Sequence, residues 1–190
     1  MKLIKYILNQ ILIHTSILHI FLILSGTNDL LHVIRHNRET STTLPHHLIM
    51  ETAKNISRGI LSLHKMCHRY HHVSTVLVTL PEIKYERYDN TEVSKKLRKA
   101  VNRKLKKYAL KHKKNTLLAN LAAYLDKLGS DSQEYAQIWD DGVHLTPYGY
   151  NRMGEYIYNK ISRKKYLPTA SSDDSNEAVK EYVSRSDWDS

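Results

Sequence analysis

Two periodicities alternate along this chain of 190 residues. Apolar residues run together at residues 18–24 and again at residues 73–80, the second run rich in Val, Thr and Leu and closed by Pro81. Both read as strands of a buried sheet. Between them Ile49, Ala53, Ile56, Ile60, Leu63 and Cys67 recur at helical spacing, predicting a long helix that ends near Tyr70. A polar Thr/Ser-rich loop is expected before it, at residues 35–45. Val93, Leu97, Val101, Leu105 and Tyr108 form a second helical stripe. Residues 115–120 read as a short strand and residues 129–133 as a turn. Tyr150, Met153, Ile157 and Ile161 predict a last helix, with Thr146 as its N-cap and Pro147 at its first position. Strands interleaved with helices put the chain in the α/β class.

Charge sharpens one of these helices. The chain carries a net charge of +10, and residues 91–114 hold 11 Lys or Arg against a single acidic residue, Glu92. The apolar stripe leaves Lys95, Arg98, Lys99, Arg103, Lys106 and Lys107 for the remaining surface. Such a face is either simply solvated or binds a polyanion, with Arg98, Lys99, Arg103 and Lys107 as the candidate contacts. Beyond Pro168 the composition turns to Ser, Asp and Asn, and six acidic residues oppose Lys180 and Arg185. Residues 1–166 are therefore expected to form one domain, and residues 167–190 a disordered acidic tail.

The remaining composition excludes more than it assigns. A single cysteine rules out a disulfide framework within the chain, and Cys67 falls on a helix stripe as a small apolar residue. His68, His71 and His72 sit at a helix end with no Cys or carboxylate at ligand spacing, so no metal site is expected. No glycine-rich phosphate loop occurs, and no cofactor is implied. The opening Met1-Lys2-Leu3-Ile4-Lys5 and the apolar residues after it have the form of a secretory leader. His14, Thr15, Ser16 and His19 interrupt that run, and cleavage near Ser25 would sever the first strand. An intracellular setting is the expectation, with secretion the alternative if residues 1–25 are a leader. A membrane span is not expected.

Chemistry concentrates in two short motifs. Gly26-Thr27-Asn28-Asp29 follows the first strand, where a glycine permits the tight turn at the carboxyl end at which open α/β sheets place ligands. Its Asn28 offers a side-chain amide that can donate to an oxyanion. Asp141-Gly142-Val143-His144 precedes the last helix, and an Asp three residues before a His can orient the imidazole. Asp140 fails that spacing. With 10 Asp and 12 His in the chain, about one Asp-x-x-His pair arises by chance, so the context of the second motif matters more than its letters.

Together the two motifs resemble the last blocks of the SGNH (GDSL-type) hydrolases, Gly-x-Asn-Asp and Asp-x-x-His, in the same order. The resemblance covers roughly residues 18–163. It implies a flavodoxin-like three-layer α/β fold and an ester-hydrolase site in which Asn28 donates to the oxyanion, His144 is the general base and Asp141 orients it. The family's nucleophile lies in a Gly-Asp-Ser block, and a second block supplies an oxyanion-hole glycine. Neither occurs here, and the 25 residues before Gly26 contain no glycine. Ser16, Ser25 and Ser41 lack the strained glycine-flanked turn a nucleophile needs, so the nucleophile is unassigned. The expectation is a domain incomplete at its amino end, inactive alone, with residues 18–24 exposed as an apolar edge for want of an inner neighbour. The alternative is a non-catalytic relative that binds RNA or another polyanion through the basic helix. An ester is the expected substrate of the complete domain; its identity and the oligomeric state are not legible.

Overall fold

The structure is a computed structural model, and it describes residues 19–40, 44–70, 73–83, 86, 92–128 and 133–163. The leader-like segment, Ser16, Ser41, His71, His72, most of the expected turn at 129–133 and the tail at 167–190 lie outside the described residues. Three strands, β1 (His19–Ile23), β2 (Val73–Val78) and β3 (Thr116–Ala119), form a parallel sheet in the order β1-β2-β3. Helices α1 (Thr27–Thr40) and α2 (His46–Cys67) connect β1 to β2, and α3 (Val93–Lys111) connects β2 to β3. Three helices follow: α4 (Leu121–Asp126), α5 (Gln133–Ile138) and α6 (Pro147–Arg163).

Every residue of β2 is buried, as a central parallel strand requires, and its alternate side chains feed two cores. Leu77 packs with Leu30, Ile49, Ile60, Leu80, Leu97, Val101 and Leu105 under α1, α2 and α3. Val76 and Val78 join Leu117, Leu121, Ile138 and Ile157 on the other face, beneath α4, α5 and α6. A mixed α/β fold with helices on both faces of a parallel sheet is thus observed. Each of these large side chains contributes about 1.5–3 kcal/mol by leaving water.

The α3 stripe is buried along its whole predicted length, yet polar neighbours are buried with it. Asn102 accepts from the Leu80 N–H at 2.9 Å and donates to the Leu80 carbonyl at 2.8 Å, clasping the chain just beyond β2. Arg98 corrects the charge reading. Its guanidinium is buried, its Nε donating to both Glu86 carboxylate oxygens at 2.8 and 2.9 Å, and Glu82 stands 4.0 Å away. It is part of the interior and absent from the outer face. Burial pushes the Glu86 carboxyl up, against the opposing pull of Arg98.

Two other expectations shift. The chain at residues 35–40 continues α1 where a loop was expected, because α1 anchors itself through Leu30, Leu31 and Ile34 and simply runs on. In α2 the buried line is Ile49, Ala53, Ser57, Ile60, His64 and Cys67, so Ile56 and Leu63 stand at its margin. The polar entries have partners. Ser57 donates to the Lys54 carbonyl, and His64 Nδ1 meets Thr75 Oγ1 at 2.9 Å. Thr75 is shared with His68 Nε2 at 3.0 Å, which also reaches the Asn115 carbonyl at 3.1 Å. Tyr108 lies 3.3 Å from the other nitrogen of His68 and stacks on His112.

Among the described residues β1 is paired on one side only. Leu22 is 51% exposed and Leu24 42%.

Candidate active site

The first wall of the site grows from the end of β1. Gly26 turns the chain at φ 105° and its carbonyl accepts the Leu30 N–H at 3.1 Å, opening α1. A side chain here would be strained by the backbone and would have to displace the end of Ile60. The backbone lies in the region that favours glycine, and a Cβ would sit 2.7 Å from Ile60 Cδ1 and 3.4 Å from the Leu80 methyls. The Asn102 clasp on Leu80 therefore shapes the floor under this turn. Asn28 follows in the first turn of α1, exposed, with no hydrogen-bond partner for its side-chain amide among the described residues.

The second wall is the loop between α5 and α6. Trp139 and Leu145 pair across it as an antiparallel bridge, the Asp140 N–H donates to the His144 carbonyl at 3.0 Å, and the Thr146 N–H donates to the Ile138 carbonyl at 2.9 Å. Thr146 fulfils its capping role: its hydroxyl accepts from the Gly149 N–H at 3.1 Å and donates to the Gln137 carbonyl at 2.6 Å. Gly149 packs so closely on the Ile138 carbonyl that a Cβ would overlap it.

Within this frame Asp141 and His144 form a closed unit. Asp141 Oδ1 accepts the backbone N–H groups of Val143 and His144 at 2.9 and 2.8 Å, and Oδ2 accepts from His144 Nδ1 at 2.7 Å. Gly142, at φ 92°, makes the turn possible. The His144 amide, its imidazole and the Val143 amide together hold the Asp141 carboxyl well below the usual carboxylate range. Both side chains are more than half exposed, so the pair adds little stability. Its effect is orientation: with the Nδ1 proton given to Asp141, the His144 Nε2 lone pair is the free one.

Asn28 and His144 line one cleft of about 380 Å³, at the carboxyl end of the sheet. Ser25 and Thr27 share the polar side. Leu24, Ile83, Leu121, Trp139 and Met153 form an apolar side. Trp139 and Ile83 carried no motif signal; only the position of Trp139 just before Asp140-Asp141 hinted at it. Ser25, although on the wall, makes no hydrogen bond to His144 among the described residues. No group of three or more His, Cys, Asp or Glu suited to a metal occurs among the described residues. No described helix is long and apolar enough to cross a membrane.

No curated protein and no solved structure matches the chain significantly. The family described as GDSL-like lipase/acylhydrolase matches residues 15–157, a span that includes both walls of the cleft. By that match the chain belongs to the GDSL-like lipase/acylhydrolase family.

Proposed function

We propose that this chain carries the base and oxyanion half of an ester-hydrolase site. Asn28 and His144, brought from distant parts of the chain to line one cleft, carry the reading. His144 Nε2 takes the proton of an attacking hydroxyl, Asp141 steadies the imidazolium that forms, and the Asn28 amide donates to the oxyanion of the tetrahedral intermediate. His144 then returns the proton to the leaving alcohol, and water completes the cycle on the acyl-enzyme. The nucleophile remains unassigned, and without one this chain alone is expected to be inactive. The test is to read the transcript upstream of the Met1 codon, express any in-frame extension with this chain, and measure p-nitrophenyl acetate hydrolysis. An extension bearing Gly-Asp-Ser is expected to be active, to lose at least about a thousandfold on His144→Ala, and to lose on the order of 10²–10³ on Asn28→Ala. Activity indifferent to His144→Ala, or a transcript start at Met1, removes the reading.

A second reading is supported by the outer face of α3. Lys96, Lys99, Arg103, Lys107 and Lys111 are exposed at three- and four-residue intervals, with no ion pair recorded for them among the described residues. They make a cationic row about 22 Å long. Such a row favours RNA or another polyanion, with log affinity falling by up to about 4 per decade of salt. Arg103→Glu with Lys107→Glu should abolish retention on RNA while His144→Ala leaves it intact. Binding that ignores salt refutes it.

A further inference from the structure

A second cavity, of about 220 Å³, opens between α4 and α6, on the face of the sheet opposite to α3. It shares no lining residue with the cleft of Asn28 and His144. The helical repeat builds it: Arg152, Tyr156, Asn159, Lys160 and Arg163 recur at intervals of three or four along one stripe of α6. Tyr124 supplies the wall from α4, its ring stacked on Tyr156 with centroids 4.4 Å apart and planes 16° from parallel.

The cations of this stripe are not equivalent. Arg152 lies 2.8 Å from Glu134 and 3.2 Å from Glu155, so its charge is already opposed, and its Nε is buried without a hydrogen-bond partner. Lys160 and Arg163 form no ion pair among the described residues. Lys160 is held in place by other means, its Nζ standing 5.5 Å from the centroid of the Tyr156 ring. That contact orders the ammonium before any ligand arrives. Basic residues in a last turn offset the helix dipole, which accounts for the sign of Lys160 and Arg163. It does not account for a cavity beside them, walled by a stacked ring pair and lined by two further side chains able to donate, Asn159 and Tyr124.

From this we infer that the cavity binds a phosphomonoester group, with Lys160 and Arg163 as its charge partners and Asn159 as a further donor. Size and charge agree. A volume of 220 Å³ falls below the roughly 300–1,000 Å³ of a site that encloses a whole ligand, so the cavity takes an anionic head and leaves the remainder outside. Two uncompensated cations match the charge of about −1.5 to −2 on a phosphomonoester, whereas a carboxylate would leave one of them over. Lys160 and Arg163 are separated by about 4.5 Å along the helix axis, close enough to grip one group from two sides.

The test is a chemical-shift titration of the full ¹⁵N-labelled chain with glycerol 3-phosphate, beside a sodium chloride series of equal ionic strength. Amides of residues 159–163 are expected to shift and saturate with a Kd below about 1 mM. Lys160→Gln with Arg163→Gln should weaken this about tenfold or more, whereas Arg103→Glu with Lys107→Glu should leave it unchanged. Flotation with phosphatidylcholine vesicles, with and without phosphatidic acid, separates the two sources of the group. Binding of glycerol 3-phosphate assigns a soluble phosphomonoester. Binding only to vesicles containing phosphatidic acid, lost in the Lys160/Arg163 variant, assigns a lipid headgroup. The inference is overturned if neither probe binds, if sodium chloride reproduces the shifts, or if binding survives the Lys160/Arg163 change and is lost with Arg103 and Lys107.

Discussion

Lowering the pH from 7 to 4 should weaken this protein through His64. The ring is fully buried, its Nδ1 held by Thr75, and its Nε2 has no partner, so a second proton would place a charge where nothing can solvate it. Burial, followed by the nearby His68, lowers its pKa from 6.5 to about 4. Between those values the unfolded chain binds more protons than the folded one, and stability falls as pH falls. The contribution is intact above pH 6.5, declines through the window, and is lost by about pH 4. A shift of this size corresponds to about 3 kcal/mol, or a urea midpoint lower by roughly 1 M or more. Burial lowers the His68 pKa too, in the same direction, whereas the raised pKa of Glu86 acts in the opposite one. The informative quantity is thus a difference. His64→Gln keeps an acceptor for the Thr75 hydroxyl and removes the titration, so urea unfolding at pH 7, 5.5 and 4, followed by circular dichroism, should show a flatter profile for this variant. Parallel profiles for the two proteins would refute the argument. The depressed Asp141 carboxyl begins to cost stability as pH falls through the unfolded value of 3.8, at the lower edge of the window, and its effect is common to both proteins and cancels in the comparison.

Other expectations follow from single contacts. Arg98→Met leaves the Glu86 carboxylate buried without its partner and should cost about 3–5 kcal/mol in urea unfolding, whereas the double change with Glu86→Leu should recover most of that loss. Asn102→Ala orphans both the N–H and the carbonyl of Leu80; a loss of about 2–5 kcal/mol is expected, and a loss under 1 kcal/mol would mean that water replaces the clasp. Gly149→Ala should destabilise by more than about 2 kcal/mol, because the Cβ meets backbone that cannot move without breaking the Ile138–Thr146 hydrogen bond. Asp141→Asn should leave stability nearly unchanged while altering the imidazole: the ¹⁵N shifts of His144 should show a tautomer mixture in place of a proton fixed on Nδ1.

The apolar skeleton of the fold was readable because it obeys a period. Val93, Leu97, Val101, Leu105 and Tyr108 lie buried where the spacing put them, and the short third strand falls within residues 115–120. What periodicity could not reveal is polar burial. Arg98, Asn102 and His64 are hydrophilic letters beside the stripes, and their places inside depend on Glu86, the Leu80 backbone and Thr75, partners 11 to 22 residues away. The extension of α1 through residues 35–40 was hidden for a related reason, since no apolar letter marks those turns. Of the site, the Asp-x-x-His spacing carried the dyad, and Gly-x-Asn-Asp carried the turn. That Asn28 and His144 share a cleft is a tertiary fact, set by the α5–α6 loop meeting the turn after β1.

The Asp141–His144 pair draws its side-chain hydrogen bonds from four consecutive residues, with three of them returning to one carboxylate. Such a pair behaves as a portable cassette: substitutions in the sheet, the clasp or the basic helix leave it folded. The cleft is the opposite case, because it exists only while β1, α1 and the α5–α6 loop keep their mutual positions. The dyad would therefore outlast the cleft under substitution, and the separation of Asn28 from His144 is the more sensitive gauge of damage to the candidate site.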